Sequence, residues 1–333
     1  MTDNGRRQSG HLSLRAEIRG QAHRRTEKAC HQARQGTRKQ HKKGKIPKII
    51  IWIAAIALIL FVVNAFLRNY QANGAVSGSL SVHFIDVGQG DSVLISYEGG
   101  NMLIDCGESE KTDSVVHYLR DQGISRLDYV IATHPHSDHM GGMYKIINEF
   151  RIGEVIIPHL DDDDIPTTRF FEKFLDACED KECGLTEAEI GRKIQLGEAS
   201  LELIAPVSEE YENLNNYSVG TVISHGRNSF ILTGDAETLA EAEMLESGRV
   251  NRTTVYKAGH HGSSTSSSKK FIDAIAPDYA VISCGEGNSY GHPSDAVIKR
   301  ISGYTDKIYR TDLCGSVVFV SDGAELEVRT ERN

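Results

Sequence analysis

Thr133-His134-Pro135-His136-Ser137-Asp138-His139 decides how this chain is read. Three imidazoles and one carboxylate fall within the six residues 134–139. Neither an apolar core nor a solvated surface needs that density, and these are the ligand types that zinc and manganese accept. On a loop, the alternating His134 and His136 point toward one cation, and the next pair, Asp138 and His139, turns toward a second. The run from Leu127 to Ala132 reads as a short buried strand, and residues 140–150 have helical periodicity. The cluster is therefore expected on a loop between a strand and a helix.

The same alternation of short elements extends outward. Residues 81–87, 92–97 and 101–105 are apolar, β-branched runs broken by Gly88-Gln89-Gly90-Asp91 and Glu98-Gly99-Gly100, a meander of strands with tight turns. A helix is expected over 112–122. Further strands fall near 201–204, 219–224, 229–233, 253–258 and 278–283, with helices at 236–246 and 267–275. This order predicts an α/β (α+β) fold with two mixed sheets sandwiched between helices. Residues 158–190, with Asp161 to Asp164 in a row, read as an irregular surface excursion.

Composition divides the rest. Residues 1–48 carry fourteen Lys/Arg against three Asp/Glu and almost no large apolar side chains, so they are expected to be a disordered basic tail. Ile49 to Leu67 is a run of nineteen residues interrupted only by Asn64, close to the roughly 20 apolar residues of a membrane-spanning helix. A linker, 68–79, leads to a single domain over 80–333. The total charge is -9 and the tail contributes 14 - 3 = +11, which leaves -20 on everything after residue 48. So acidic a domain offers no basic groove for tight passive binding of nucleic acid, and an anionic substrate has to be drawn in by metal. Lys42, Lys43, Lys45 and Lys48 precede the span, so the tail is expected in the cytoplasm and the domain outside the cell membrane, on a single pass. A cleaved signal peptide, cut among the small residues of 72–78, is the competing reading. The domain's cysteines, Cys106, Cys178, Cys183, Cys284 and Cys314, are odd in number and lack Cys-x-x-Cys spacing; a Cys178–Cys183 disulfide competes with buried thiols.

The signature resembles that of the metallo-β-lactamase-fold hydrolases, H-x-H-x-D-H, without gaps. Phe84-Ile85-Asp86-Val87-Gly88-Gln89-Gly90-Asp91, Leu103-Ile104-Asp105, Leu232-Thr233-Gly234-Asp235-Ala236-Glu237, His260-His261-Gly262-Ser263 and Tyr290-Gly291-His292-Pro293-Ser294 are similar to the hydrolase domain of ComEC-type DNA-uptake proteins, over about residues 80–320. The resemblance implies a metallo-β-lactamase αββα sandwich holding two divalent cations, zinc or manganese. By position, His134, His136, Asp138, His139, Asp235 and one of His260 and His261 are the implied ligands, with Asp138 and Asp235 the carboxylates of the chemistry. Asp235 resembles the bridging carboxylate, although an Asp before Ala236 to Leu245 is also an ordinary helix cap. Adjacent residues on an extended segment face opposite ways, so only one of His260 and His261 is expected to ligate. Asp105 resembles the aspartate that supports the site from behind. Asp86, Asp91, Asn216, Ser263 and His292 are candidates for the surrounding shell or for substrate contact. Asn215 and Asn216 stand where many members of the fold carry a third histidine, and His225 lies too far into the next strand to replace it.

Two cations lower the pKa of a water and neutralise an anionic transition state, so no side-chain nucleophile is required. The expected activity is that of a membrane-anchored, binuclear phosphodiesterase, nuclease-like on extracytoplasmic DNA. The acidic domain fits a smaller ester at least as well, such as a wall polymer or a phosphocholine ester. A lactonase or β-lactamase rests on the fold alone. A non-catalytic binding module is a further class, and it conflicts with the presence of every signature residue.

Overall fold

The computed structural model describes residues 78–161 and 163–332. The basic tail, the expected span 49–67 and all of the linker but its last two residues lie outside these. Among the described residues no helix is long and apolar enough to cross a membrane.

Two sheets carry the architecture. The first has eight strands in the order β15 (Leu326–Thr330), β14 (Val317–Ser321), β1 (Leu80–Phe84), β2 (Val93–Tyr97), β3 (Gly100–Ile104), β4 (Arg126–Ile131), β5 (Arg151–Ile157) and β6 (Gly184–Glu187). The second has seven: β13 (Ile308–Arg310), β12 (Tyr279–Ile282), β11 (Val255–Lys257), β10 (Asn228–Leu232), β9 (Thr221–His225), β8 (Ala199–Leu203) and β7 (Lys193–Leu196). Period-two alternation gives each sheet two apolar faces. Val93 and Ile95 of β2 point between the sheets and meet Leu201, Ile223, Phe230 and Val281, whereas Leu94 points outward. On the outer face of the first sheet, Leu94, Leu103 and Val130 pack on α1 (Thr112–Asp121), α3 (Met143–Glu149) and α4 (Arg169–Asp180) through Val115, Leu119, Ile146, Phe171 and Phe174. Between β4 and α3 lies the single turn α2 (Ser137–Met140). On the far side, Ile231, Tyr256 and Ile282 pack on α5 (Thr238–Glu246), α6 (Lys269–Ile275) and α7 (Asp295–Ile301) through Met244, Phe271 and Val297. The order of layers is helix, sheet, sheet, helix.

Strands β3 to β6 are mutually parallel, as are β10 to β13, and helices make the crossovers. Loops that leave the carboxyl ends of β3, β4, β10, β11 and β12 therefore emerge at like ends of parallel strands, where open α/β sheets form their crevices. These five loops carry Asp105, the histidine cluster, Asp235, His260-His261 and His292 respectively.

Residues 158–190 depart from expectation. They hold α4, whose Phe171, Phe174, Ala177 and Cys178 recur at helical spacing and are buried, and β6, which pairs with β5. Acidic neighbours on the other face of that helix hide the stripe from a reading by composition. The segment Ser263–Ser268 is held in place: Ser266 Oγ donates to Ala236 O at 2.8 Å, Ser268 N donates to Glu241 at 2.8 Å, and the Ser268 side chain caps α6. Cys178 and Cys183 are free thiols, joined by a main-chain hydrogen bond of 3.0 Å rather than a disulfide.

Candidate metal centre

The Thr133–His139 loop is anchored on both sides. Thr133 O accepts from Val219 N at 2.9 Å, which ties the first sheet's loop to the second half of the chain. On the other side the turn after β1 presses against it, with Asp91 N donating to Asp138 O at 3.2 Å. Gly90 permits that approach: at φ 138°, a Cβ there would lie 2.3 Å from Asp138 O.

Four side chains, Asp138, His139, Asp235 and His261, converge inside, with His260 at their edge. Asp235 Oδ1 is 3.2 Å from His139 Nε2, and Asp235 Oδ2 is 3.5 Å from His261 Nε2 and 3.6 Å from His260 Nε2. His261 Nε2 is 3.2 Å from Asp138 Oδ2 and 3.3 Å from His139 Nε2. Beside this group, His134 Nε2 is 3.0 Å from His136 Nδ1 and 3.9 Å from Asp235 Oδ2. A tetrahedral zinc with ligands at 2.0–2.2 Å has donor-to-donor edges of about 3.4 Å, which is the spacing found here.

Tautomers give an independent test of fit. His139 Nδ1 lies 2.7 Å from Asp105 Oδ2 and His261 Nδ1 lies 3.0 Å from Ser283 O, acceptors that require both Nδ1 atoms to carry hydrogen. In the neutral rings the two Nε2 lone pairs then face each other at 3.3 Å, which is repulsive unless a cation or a proton stands between them. Asp235 Oδ1 is buried there without a hydrogen bond. The donor set and its orphaned oxygen fit a divalent cation.

The electrostatics agree. Burial alone would lower His139 and His261, but Asp235 and Asp105 raise the first well above its usual value, and Asp235 and Asp91 raise the second to about 9. Burial would raise Asp235 and Asp138, yet the surrounding imidazoles hold both well below the usual carboxylate range. Burial depresses His134 and His136, so their lone pairs are free. The negative field that holds protons on His139 and His261 is the field a divalent cation would take over.

Several expectations are corrected. His260 and His261 are not extended: they occupy left-handed conformations at φ 49° and 54°, so both rings turn toward Asp235 rather than to opposite sides. Of the two, His261 is the fully enclosed one that meets Asp138 and His139, whereas His260 Nδ1 is 3.1 Å from Thr265 Oγ1 near the surface. Asp235 is no helix cap, because α5 begins at Thr238 after an N-cap at Glu237. Asp86 turns away from the cluster to Gly88 N and the Arg332 guanidinium. Asn216 Oδ1 accepts from Glu237 N at 3.0 Å, two residues past Asp235, and so orders the start of α5. Ser263 N is taken by His260 O at 2.8 Å, and Ser263 Oγ lies 3.1 Å from Thr265 Oγ1. His225, held by Ser321 Oγ at 3.0 Å, sits at the opposite end of β9 from the Asp235 loop. His292 stands at the rim, 5.6 Å ring to ring from His260.

Asp105 lies behind His139 and also accepts from Thr133 N at 2.8 Å and Thr133 Oγ1 at 2.7 Å. Three partners escaped the sequence reading. Ser218 Oγ accepts from Asp235 N at 3.0 Å and touches His134 Nδ1 at 3.3 Å; Ser283 O fixes His261; and Lys257, 1% exposed, ion-pairs with Asp91. Asp91 in turn lies 3.4 Å from His261 Nδ1, and Lys257 with the histidines holds it at about 2 against the opposing pull of burial. Lys257 had a signal: it is the one charge in Thr253–Ala258, on the same strand face as Val255.

A fold of two sheets between helices, with this loop constellation at the carboxyl strand ends, defines a class. Residues 85–286 match the family model described as the metallo-beta-lactamase superfamily, and the chain belongs to that superfamily. Membership implies divalent metal ions and a metal-dependent hydrolase. The chain is 28% identical over 262 residues to ComE operon protein 3 of Bacillus subtilis (strain 168), which covers 73% of this chain and 33% of that protein. It is 27% identical over 287 residues to competence protein ComA of Neisseria gonorrhoeae, covering 82% of this chain and 38% of that one. It thus spans about a third of the length of these curated relatives. Among solved structures, CmlA, a diiron beta-hydroxylase from Streptomyces venezuelae, shares the fold with a TM-score of 0.50 and 14% identity over 76% of this chain and 54% of that one.

Proposed function

We propose that the chain is a binuclear metal-dependent phosphodiesterase that acts on DNA outside the cell membrane, anchored there by residues 49–67. The observation that carries this reading is the convergence of His134, Asp138, His139 and His261 on the two oxygens of Asp235, with His136 beside His134. His134, His136 and Asp235 are suited to hold one cation, and Asp138, His139, His261 and Asp235 the other, as zinc or manganese. Bound there, such cations lower the pKa of a water and neutralise charge that builds on a phosphoryl group. The chain's own residues do the rest. Asp105 and Ser283 O hold two imidazoles in the tautomer that turns Nε2 inward, and Thr133 locks Asp105 in place. The Lys257–Asp91 pair adds no net charge behind His261. His292, half-buried at the rim, keeps an imidazole beside the place where a substrate phosphate would enter.

Kinship with competence proteins favours DNA. The -20 charge after residue 48 favours a smaller phosphodiester, such as a wall-polymer or phosphocholine ester, because acidic surfaces repel long phosphate backbones. Lactone or β-lactam hydrolysis has only the fold behind it, and a non-catalytic module is disfavoured by the intact cluster. The test is a panel on manganese-loaded, detergent-solubilised chain: single-stranded DNA, duplex DNA, bis-p-nitrophenyl phosphate, a phosphocholine ester and nitrocefin. Turnover of nitrocefin alone would overturn the phosphodiesterase reading. For the anchor, protease added to intact protoplasts is expected to remove the domain; protection of the domain while an external control is cut would reverse the orientation.

A further inference from the structure

The loop after β12 carries a feature that the metal chemistry does not use. Tyr290 is 70% exposed, the highest value among the large apolar side chains of the described residues. Yet its ring is not loose: it lies 5.7 Å from the His292 ring at an interplanar angle of 25°. His292 is in turn near-parallel to His261, at 6.5 Å and 28°. Two ring steps thus lead from the buried histidine cluster to an open aromatic face.

Asn288 holds that arrangement. Its Oδ1 accepts from Tyr290 N at 3.2 Å and His292 N at 3.0 Å, while its Nδ2 donates to Gly285 O and His292 O. All the usual capacity of this amide is spent on its own loop, so the loop stays folded without a ligand. Tyr290 lies offset beside His292 with most of its surface open to solvent, and at the neighbouring Gly291 no atom lies within 4 Å of a would-be Cβ. A flat molecule can approach unhindered.

We propose that Tyr290, backed by His292, is a stacking subsite for a nucleobase next to the scissile phosphate of a single-stranded nucleic acid. The proposal rests on the phosphodiesterase reading and gives it a substrate class. Stacking needs no positive charge, so it supplies the hold on nucleic acid that an acidic surface cannot. It also selects single strands, since bases already stacked in a duplex are not free to leave. A quaternary ammonium group is a poorer occupant, because it is held best by a cage of several aromatic faces and this loop offers one.

The experiment compares the full chain in detergent, manganese-loaded, with Tyr290→Ala, Tyr290→Phe and Tyr290→Trp. Substrates are a single-stranded oligonucleotide, the same oligonucleotide with abasic residues, the annealed duplex, bis-p-nitrophenyl phosphate and a phosphocholine ester. Tyr290→Ala is expected to raise KM on the normal oligonucleotide by about 10-fold, within what one base–aromatic stack contributes, with kcat and metal content nearly unchanged. Tyr290→Phe and Tyr290→Trp should stay close to the parent. The abasic strand should show the raised KM already with the parent and no further rise with Tyr290→Ala. The subsite is overturned if Tyr290→Ala matches the parent on the normal strand, if it loses as much on the abasic strand, or if Tyr290→Phe falls as far as Tyr290→Ala. A loss confined to the phosphocholine ester would overturn it by naming another occupant. Failure of the underlying reading looks different: the parent would then cleave neither oligonucleotide while still turning over one of the small esters.

Discussion

Asp105→Asn is the substitution whose consequence the geometry fixes most closely. Asp105 is fully enclosed and receives three hydrogens: Thr133 N–H on Oδ1 at 2.8 Å, and the Thr133 hydroxyl and His139 Nδ1–H on Oδ2, each at 2.7 Å. An asparagine of the same shape has one oxygen for two N–H donors that arrive on different sides. With its amide nitrogen opposite His139, the imidazole proton is forced to Nε2, and the lone pair facing Asp235 and His261 is lost. With the amide reversed, His139 keeps its tautomer but the buried Thr133 N–H goes unmet, at about 1–3 kcal/mol. Cation-free protein adopts the cheaper of the two, and binding at the His139 position must force the other. Affinity there should fall by up to that amount, about 5- to 150-fold, in line with the 10–100-fold typical when a metal-bound histidine loses its supporting carboxylate. Calorimetric titration of chelator-stripped protein with Mn²⁺ is expected to show one site weakened by about 10–100-fold, the other little changed, and a circular dichroism spectrum like the parent's. Two sites each within twofold of the parent would refute the tautomer argument.

Asp235→Asn is expected to be the more severe change, because its two oxygens face both imidazole groups. Bound metal by elemental analysis should drop toward one equivalent or less and turnover by orders of magnitude, with circular dichroism unchanged; near-normal metal content would remove Asp235 from the centre. Lys257→Met leaves Asp91 buried without its partner and should cost about 3–5 kcal/mol of unfolding free energy in urea. Lys257→Met with Asp91→Asn should recover more than half of that loss; no recovery would mean the pair is not what holds either residue. His83, buried against Tyr118 at 2.9 Å, is pushed down to about 4 by burial and by Arg329. The unfolded chain therefore binds the extra proton between pH 6.5 and pH 4, and stability rises with pH across that window by up to about 3 kcal/mol. His83→Phe should flatten the acid side of the stability curve, read from urea midpoints between pH 4 and pH 7; an unchanged slope would assign that limb to other groups.

What the sequence made legible follows from how local each cause is. The loop of His134, His136, Asp138 and His139 stands out because four ligand-type residues are neighbours in the chain, and the strand before it and the helix after it have their own periodicities. Asp105 and Asp235 were within reach because each ends an apolar run, where parallel strands deliver side chains to a crevice. The roles of His260 and His261 were not, since they depend on two left-handed residues in succession, held by contacts distant in the chain such as His260 N to Gly234 O and His261 Nδ1 to Ser283 O. Read as extended, the pair must face opposite ways; wound left-handed, both reach one carboxylate. Asn216 misled for a related reason. Its position relative to the signature suggested the surrounding shell or a substrate contact, and what it does is accept the N–H of Glu237, 21 residues on. Lys257 shows the converse case. Strand parity alone sends it to the inter-sheet face with Val255, where an isolated lysine could not be left unpaired, so a buried acid had to be waiting across the crevice. Asp91, at the close of the Gly88-Gln89-Gly90 turn, is that acid. The turn's glycines, conspicuous in the sequence as a tight bend, serve to bring one carboxylate from the first sheet against the second, behind His261.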